Sequence, residues 1–364
     1  MEHAEEHKTD APLDVAKYYY IAVIYACLGV VLTVVNGTLL VALLRHRVLR
    51  IKKEYTLLAG LVFSDLLLGL STGSGGIYEL ALINRHEENV QVHRTACLWT
   101  PFFLIKTFTC PAEACMLLII SVDRLIAVLK PLKYATFTRI YAILLVGISL
   151  CVGVIITLFL TLNLELQKSD DTINAVCLLS KMGKIYMATN CYVRFVLATL
   201  SVIVYIFVGI AYRRYQMNMC KAFPTSQDRL RKVQRRLTTT VGMCALLTFL
   251  LYLLPTTIAI LHLESDTTVW VSVCWVLINV NAVANVFVYS LRHEDIRQGI
   301  KLLILCRKMP TVAQERLRLE SITSSSSSVA SRAALLTMRT AGSTLLPRVI
   351  PAKLYRNIIM QQVT

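Results

Sequence analysis

The residues of this sequence that could do chemistry fall into four groups. The first is Asp123-Arg124-Leu125, an acid and a guanidinium side by side at the end of a long apolar block. Arginine offers its donors in a rigid planar fork, so such a pair can exchange partners when neighbouring helices move. A snorkelling cation beside a capping acid would use the same two residues. The second group is polar and lies inside apolar blocks: Asn36, Asp65, Glu113, Asn281 and Asn285. Ionisable groups at bilayer depth are costly, so each needs a reason to be there. Asn281 and Asn285 are one helical turn apart and share a face. The five suit a core that holds a sodium ion or a proton between helices, and they equally suit a hydrogen-bond network that ties helices together. Asn36 also opens an Asn-Gly-Thr sequon, but inside a span that site is out of reach of glycosylation.

The third group is Lys106, with Cys110 one turn on and Tyr252 in a later block, a candidate ligand pocket. A Lys106 that faces a cavity favours an anionic or carbonyl-bearing ligand, whereas one that faces lipid snorkels outward; both orientations are open. The fourth is Pro255, which follows Phe249 and Tyr252 in a long apolar run. Proline there frees a carbonyl and kinks the helix, which makes it a natural hinge. Among the eleven cysteines, which lack paired metal-ligand spacing, Cys97 and Cys177 fall in positions on one face of the membrane. A disulfide between them is expected, with Cys191 as the competing partner.

These residues are carried by apolar blocks of membrane-spanning length. The chain of 364 residues is 56% hydrophobic and 16% charged, with a mean hydropathy of +0.60, whereas soluble chains carry about a quarter charged residues. About twenty apolar residues cross roughly 30 Å of hydrocarbon as a helix. Seven such spans can be read: 21–44, 57–82, 97–129, 140–162, 189–212, 237–261 and 268–291. The fold class is therefore an all-α membrane protein, a seven-transmembrane helix bundle over 18–291.

The net charge of +16 suggests nucleic acid only until its position is considered. Arg45, Arg47, Arg50, Lys52 and Lys53 follow the first span, Lys130, Lys133 and Arg139 the third, and Arg213, Arg214, Lys221, Arg229, Arg231, Lys232, Arg235 and Arg236 the fifth. Lysine and arginine gather in cytoplasmic loops, so these connections lie inside and no nucleic-acid partner is expected. Glu87, Glu88, Glu165, Asp170, Asp171, Glu264 and Asp266 mark the opposite loops, and the acidic segment 1–17 belongs with them as an extracellular N-terminus. That segment lacks the basic start of a secretory signal, so the first span is its own insertion signal. Residues 292–308 alternate charge with Ile296, Ile300, Leu302, Leu303 and Leu305, as an amphipathic eighth helix in contact with membrane lipid would. Cys306 at its end is open to acylation. The tail, 309–364, is basic, carries the serine run 324–328 and is expected to be disordered.

With these residues in place, the stretch 18–307 resembles the rhodopsin-like G-protein-coupled receptors. Asn36 matches that family's first-helix Asn, Asp65 its second-helix Asp, Asp123-Arg124-Leu125 its Asp-Arg-Tyr, and Pro255 its sixth-helix proline. Asn285-Val286-Phe287-Val288-Tyr289 resembles Asn-Pro-x-x-Tyr, and 292–297 the start of the eighth helix. The sequence departs from the family at Val286, where a proline is usual, and at Leu253, where a tryptophan is usual. Its fourth span lacks tryptophan, its fifth lacks proline, and Arg235 replaces an acid that locks the third-helix Arg in many relatives. These departures make it similar to the nematode serpentine chemoreceptors, particularly the Srsx-like group.

The resemblance implies a plasma-membrane receptor with no cofactor and no enzyme activity. An extracellular small molecule or peptide would be its ligand, a heterotrimeric G protein its transducer, and an arrestin-like protein a partner of the phosphorylated serine run. Arg124, released from Asp123, would meet Tyr205 and Tyr289 or the incoming G protein. Lys106 stands near the position where aminergic receptors carry an acid, which disfavours a biogenic amine. Two rival readings are an ion- or proton-coupled transporter or channel lined by Asp65, Glu113 and Lys106, and a seven-helix protein that no longer couples. A seven-helix enzyme is disfavoured, because no His, Asp or Ser cluster has hydrolase or metal spacing.

Overall fold

A helix in lipid satisfies its own backbone, so apolar blocks of this length have few alternatives to helix. The computed structural model describes residues 15–46, 49–50, 52–130, 133–134, 136–166, 172–177, 182–222, 243, 246–261, 268–292 and 294–305. Its helices are α1 (Val15–Arg45), α2 (Lys53–Asn84), α3 (Pro101–Leu129), α4 (Arg139–Leu166), α5 (Lys184–Ala222), α6 (Leu254–Leu261), α7 (Thr268–Arg292) and α8 (Glu294–Ile304). Five of the described helices are long and apolar enough to cross a membrane: α1, α2, α4, α5 and α7. The 29-residue α3 is long enough but carries Lys106, Glu113, Asp123 and Arg124. Of the sixth span only residues 243 and 246–261 are among those described.

Helix boundaries move from the expected spans where local chemistry dictates. Cys97 belongs not to α3 but to a separate turn, Arg94–Leu98; α3 restarts at Pro101, whose missing N–H costs nothing at a helix N-terminus. Helix α1 begins six residues before its apolar block, and α5 runs ten residues past its own, to Ala222. Before α6, Phe249–Leu253 forms a π-helical turn. Pro255 has no N–H for the carbonyl of Leu251, and a wide turn is a common way to absorb that loss. Two three-residue strands, β1 (Gln91–His93) and β2 (Thr172–Asn174), pair antiparallel with Val92 opposite Ile173. The Cys97–Cys177 disulfide, Cα–Cα 5.5 Å, anchors this hairpin to the turn before α3. Cys191 is a free, buried thiol, which decides between the two expected partners.

The bundle is organised around α3, whose middle, Thr109 to Leu117, is continuously buried. Ser149 on α4 donates to the Ala112 carbonyl at 2.7 Å, and Ser121 shares a 2.7 Å hydrogen bond with Ser201 on α5. The core beneath joins Leu57 and Leu61 of α2, Met116, Leu117 and Ile120 of α3, Ala198 of α5, Tyr252 and Leu253, and Ile278 of α7. In α8, Ile296 and Ile300 pack against Leu39, Leu43, Leu49 and Tyr55, and Lys52 donates to Asp295 at 3.1 Å.

Helices α1 and α2 meet through small residues, because lipid supplies no hydrophobic force between helices and close backbone approach has to replace it. A Cβ at Gly76 would lie 2.5 Å from the Ala26 nitrogen and 2.7 Å from the Ala22 carbonyl oxygen. Gly76→Ala is therefore expected to destabilise the protein by about 1–3 kcal/mol through overpacking. Gly147→Ala, whose Cβ would meet nothing within 4 Å, should leave stability unchanged or slightly raised. Thermal unfolding of the two detergent-solubilised variants checks this; equal midpoints would refute the close-packing account.

Candidate functional site

At the basic end of the bundle the acid–guanidinium pair is part of a larger ionic cluster. Asp123 is completely buried, and its Oδ2 accepts a 2.9 Å hydrogen bond from the Tyr134 hydroxyl in the following loop. Burial raises the Tyr134 phenol well above its ordinary value, with the Arg124 charge opposing, so it stays a neutral donor through the physiological range. Lys53 at the start of α2 donates to the Tyr134 carbonyl and to that of Phe137 at 3.4 Å, and its Nζ stands 3.6 Å from the Tyr134 ring centroid. Arg124 is divided between two acids. Its Nη1 lies 3.5 Å from Glu54 Oε1 on α2, and its Nε lies 3.8 Å from Asp123 Oδ2.

Glu54 was not singled out from the sequence. It sits beside Lys53 in a basic stretch, and its meeting with Arg124, seventy residues on, is a product of the fold. Arg235, the residue bearing on the sixth-helix lock, lies outside the described residues. Tyr205 on α5 is buried and within electrostatic reach of Arg124. Tyr289 packs between the central core and the cluster under α1 and α8.

All five mid-span polar residues are buried, Asn36, Asp65, Glu113 and Asn281 at 1% exposure or less and Asn285 at 4%. Glu113 lies within electrostatic reach of Asp65. Asn36 Nδ2 donates to Leu32 O in its own helix at 3.1 Å. Among the described residues none of the five side chains hydrogen-bonds another. Both oxygens of Asp65 and of Glu113, Asn36 Oδ1 and Asn281 Oδ1 have no donor among the described residues. Such oxygens suit a hard cation, a proton or water. A direct tie between α2 and α7 exists nearby, from Thr72 Oγ1 to Asn279 Oδ1 at 3.2 Å.

Nearer the disulfide end, Lys106 turns inward. Its Nζ lies 4.3 Å from the ring centroid of Trp275 on α7 and 5.8 Å from that of Tyr25 on α1. Trp275 and Cys110 form one apolar cluster with Leu68, flanked by Tyr25. The same tryptophan carries a second cation, Arg194 of α5, with Cζ 4.6 Å from its centroid. Arg194 Nε donates to the Tyr252 hydroxyl at 3.3 Å. The pocket residues Lys106, Cys110 and Tyr252 are thus joined by Trp275 and Arg194. Arg194 was the signal to find: a lone arginine in the interior of an apolar span. Among the described residues no group of three or more His, Cys, Asp or Glu is placed to hold a metal ion.

The profile of the family described as 7 transmembrane receptor (rhodopsin family) matches residues 35–306, about three quarters of the chain. No curated protein matches.

Tyr134→Phe removes the one hydrogen-bond donor that the buried Asp123 carboxylate has among the described residues, at a cost of about 1–3 kcal/mol. Its thermal midpoint in detergent should fall below wild type across pH 6–8. A midpoint equal to wild type would show that Asp123 finds another donor.

Proposed function

This chain belongs to the rhodopsin family of seven-transmembrane receptors and is a G-protein-coupled receptor, not an enzyme; we propose that it lies in the plasma membrane with its N-terminus outside and switches at Arg124. Family membership entails a ligand and a G-protein partner. The orientation is supported by the basic links after the first, third and fifth spans. It is supported too by the disulfide, which needs an oxidising compartment, at the other end.

In this reading a small molecule or peptide binds near Lys106, Cys110 and Tyr252 from outside and prefers the state in which the sixth helix has swung about Pro255. Moving a receptor from about 1% to about 99% active needs roughly 5.5 kcal/mol of differential affinity. The observation that carries the reading is the pairing of Arg124 with Asp123 and Glu54, which holds the guanidinium between α2 and α3 in this state. Release would free its donors for Tyr205, Tyr289 and the G protein. The exposed Arg213 and Arg214 at the end of α5 would add to that surface and attract anionic lipid. An arrestin-like partner at the phosphorylated serine run and acylation of Cys306 belong to the same proposal, as does the narrower likeness to nematode chemoreceptors.

The buried oxygens of Asp65, Glu113, Asn36 and Asn281 would hold a sodium ion or a proton, whose charge would offset that of the acids. Replacing sodium with N-methylglucamine at constant ionic strength should lower the thermal midpoint of wild type and not of Asp65→Asn. Equal responses would remove the cation from the account.

Ligand-independent G-protein activation in cell membranes at matched surface expression tests the switch. Arg124→Ala should reduce it to the level of untransfected membranes. Glu54→Gln should raise it by up to about 5-fold, because a pair one-third exposed contributes about 1 kcal/mol or less. Signalling that neither substitution alters would place the switch elsewhere.

A further inference from the structure

We propose that the ligand of this receptor is an organic carboxylate, whose two oxygens are bound by Lys106 and Arg194 over the ring of Trp275. The inference rests on the receptor reading for its biological meaning, but its chemistry comes from the charges themselves. Two cations from different helices are drawn onto one indole, at 4.3 Å and 4.6 Å from its centroid, and are no farther apart than the sum of those distances. Like charges this close inside a bundle repel strongly, and the ring quadrupole offsets only part of that cost.

The acids among the described residues do not complete the neutralisation. Glu79 bears on Lys106 and Glu113 on Arg194, yet among the described residues neither cation has a carboxylate oxygen within 4.0 Å. Arg194, 2% exposed, satisfies Nε with Tyr252 and leaves Nη2 buried without an acceptor among the described residues. Lys106 makes no hydrogen bond or ion pair with any described residue. A buried Arg194 donor and a Lys106 ammonium that share one indole are what a bound anion would satisfy. A carboxylate accepts one charge-assisted bond of about 2.8 Å at each oxygen, which reaches across a gap of this order.

The surroundings select the rest of the molecule. Leu68, Cys110 and Trp275 pack as one apolar cluster flanked by Tyr25, so the substituent that suits this neighbourhood is apolar, either an aryl group or an alkyl chain. Glu79 and Glu113 beside the cations disfavour dianions. A phosphate monoester would bring a second negative charge toward those acids, and a free amine would meet two positive charges.

The test uses the purified full-length receptor in detergent, with thermal midpoint and saturation as readouts. The probes are benzoate, phenylacetate, indole-3-acetate, hexanoate and oleate, each beside its primary amide, with phenyl phosphate as the dianion. At least one carboxylate should raise the wild-type midpoint saturably while its amide does not. An aryl acid doing so points to a soluble ligand, and oleate alone to one that arrives from the membrane. Lys106→Met and Arg194→Gln should each weaken that binding about 10-fold or more. Lys106→Arg and Arg194→Lys keep the charges and should retain it, which separates loss of binding from loss of folding. The proposal is overturned if no carboxylate outperforms its amide, if phenyl phosphate outperforms all of them, or if binding survives both neutral substitutions. G-protein activation without any ligand is scored separately: its absence would remove the coupling proposal and leave a carboxylate-dependent midpoint shift standing.

Discussion

In lipid there is no water to satisfy a stranded polar group, and that constraint governs this protein from backbone to site. The backbone meets it by remaining helical even across Pro111 and the π turn before Pro255. The side chains of serine and threonine meet it by donating to carbonyls of their own helix, as Ser64, Ser74, Thr33 and Thr157 do, or across to a neighbour, as Ser149 does to Ala112. Against that background the groups left unsatisfied stand out. Among the described residues they include Asp65, Glu113, Asn281 and Asn285 in mid-span, Arg194 nearer the disulfide and one oxygen of Asp123 at the basic end.

Helix α3 connects the levels. One helix carries Lys106 near the disulfide end, Glu113 in the middle and Asp123-Arg124 at the basic end. Each meets a different neighbour: Lys106 the tryptophan of α7, Glu113 the charge fields of Asp65 and Arg194, Arg124 the acid of α2. Packing around its middle is tight enough that a Cβ at Gly153 of α4 would lie 2.9 Å from the Phe108 carbonyl oxygen. A shift of α3 against its partners is therefore felt at all three sites, because a packed interface repacks between discrete arrangements and does not deform smoothly.

Arg124 and Arg194 illustrate two uses of one residue type. Arg124 stands at the interface end, one-third exposed, with acids on two helices. Such a pair is weak enough to be exchanged. Arg194 is enclosed, stacked on aromatic rings and only partly bonded. Its burial is costly, and that cost is recovered only by completing its contacts.

Much of this was legible in the sequence because membrane insertion is itself a sequence-level property. Span length, loop charge and the placement of Asn36, Asp65, Asp123-Arg124 and Pro255 are read from residue type and order alone, and the family profile over 35–306 agrees with the receptor fold they suggest. What the sequence could not show was which charges meet. Glu54 and Arg124 are seventy residues apart, and the pairing of β1 with β2 joins loops separated by two spans. Whether Lys106 faced lipid or the interior depended on the rotation of α3, whose register Pro101 and Pro111 leave unspecified in the sequence. Only the packing of α1, α5 and α7 around α3 decided it, by bringing Tyr25, Arg194 and Trp275 to the same place. Helix formation in lipid is local and readable residue by residue, whereas contact between helices depends on rotations and depths that no single span encodes.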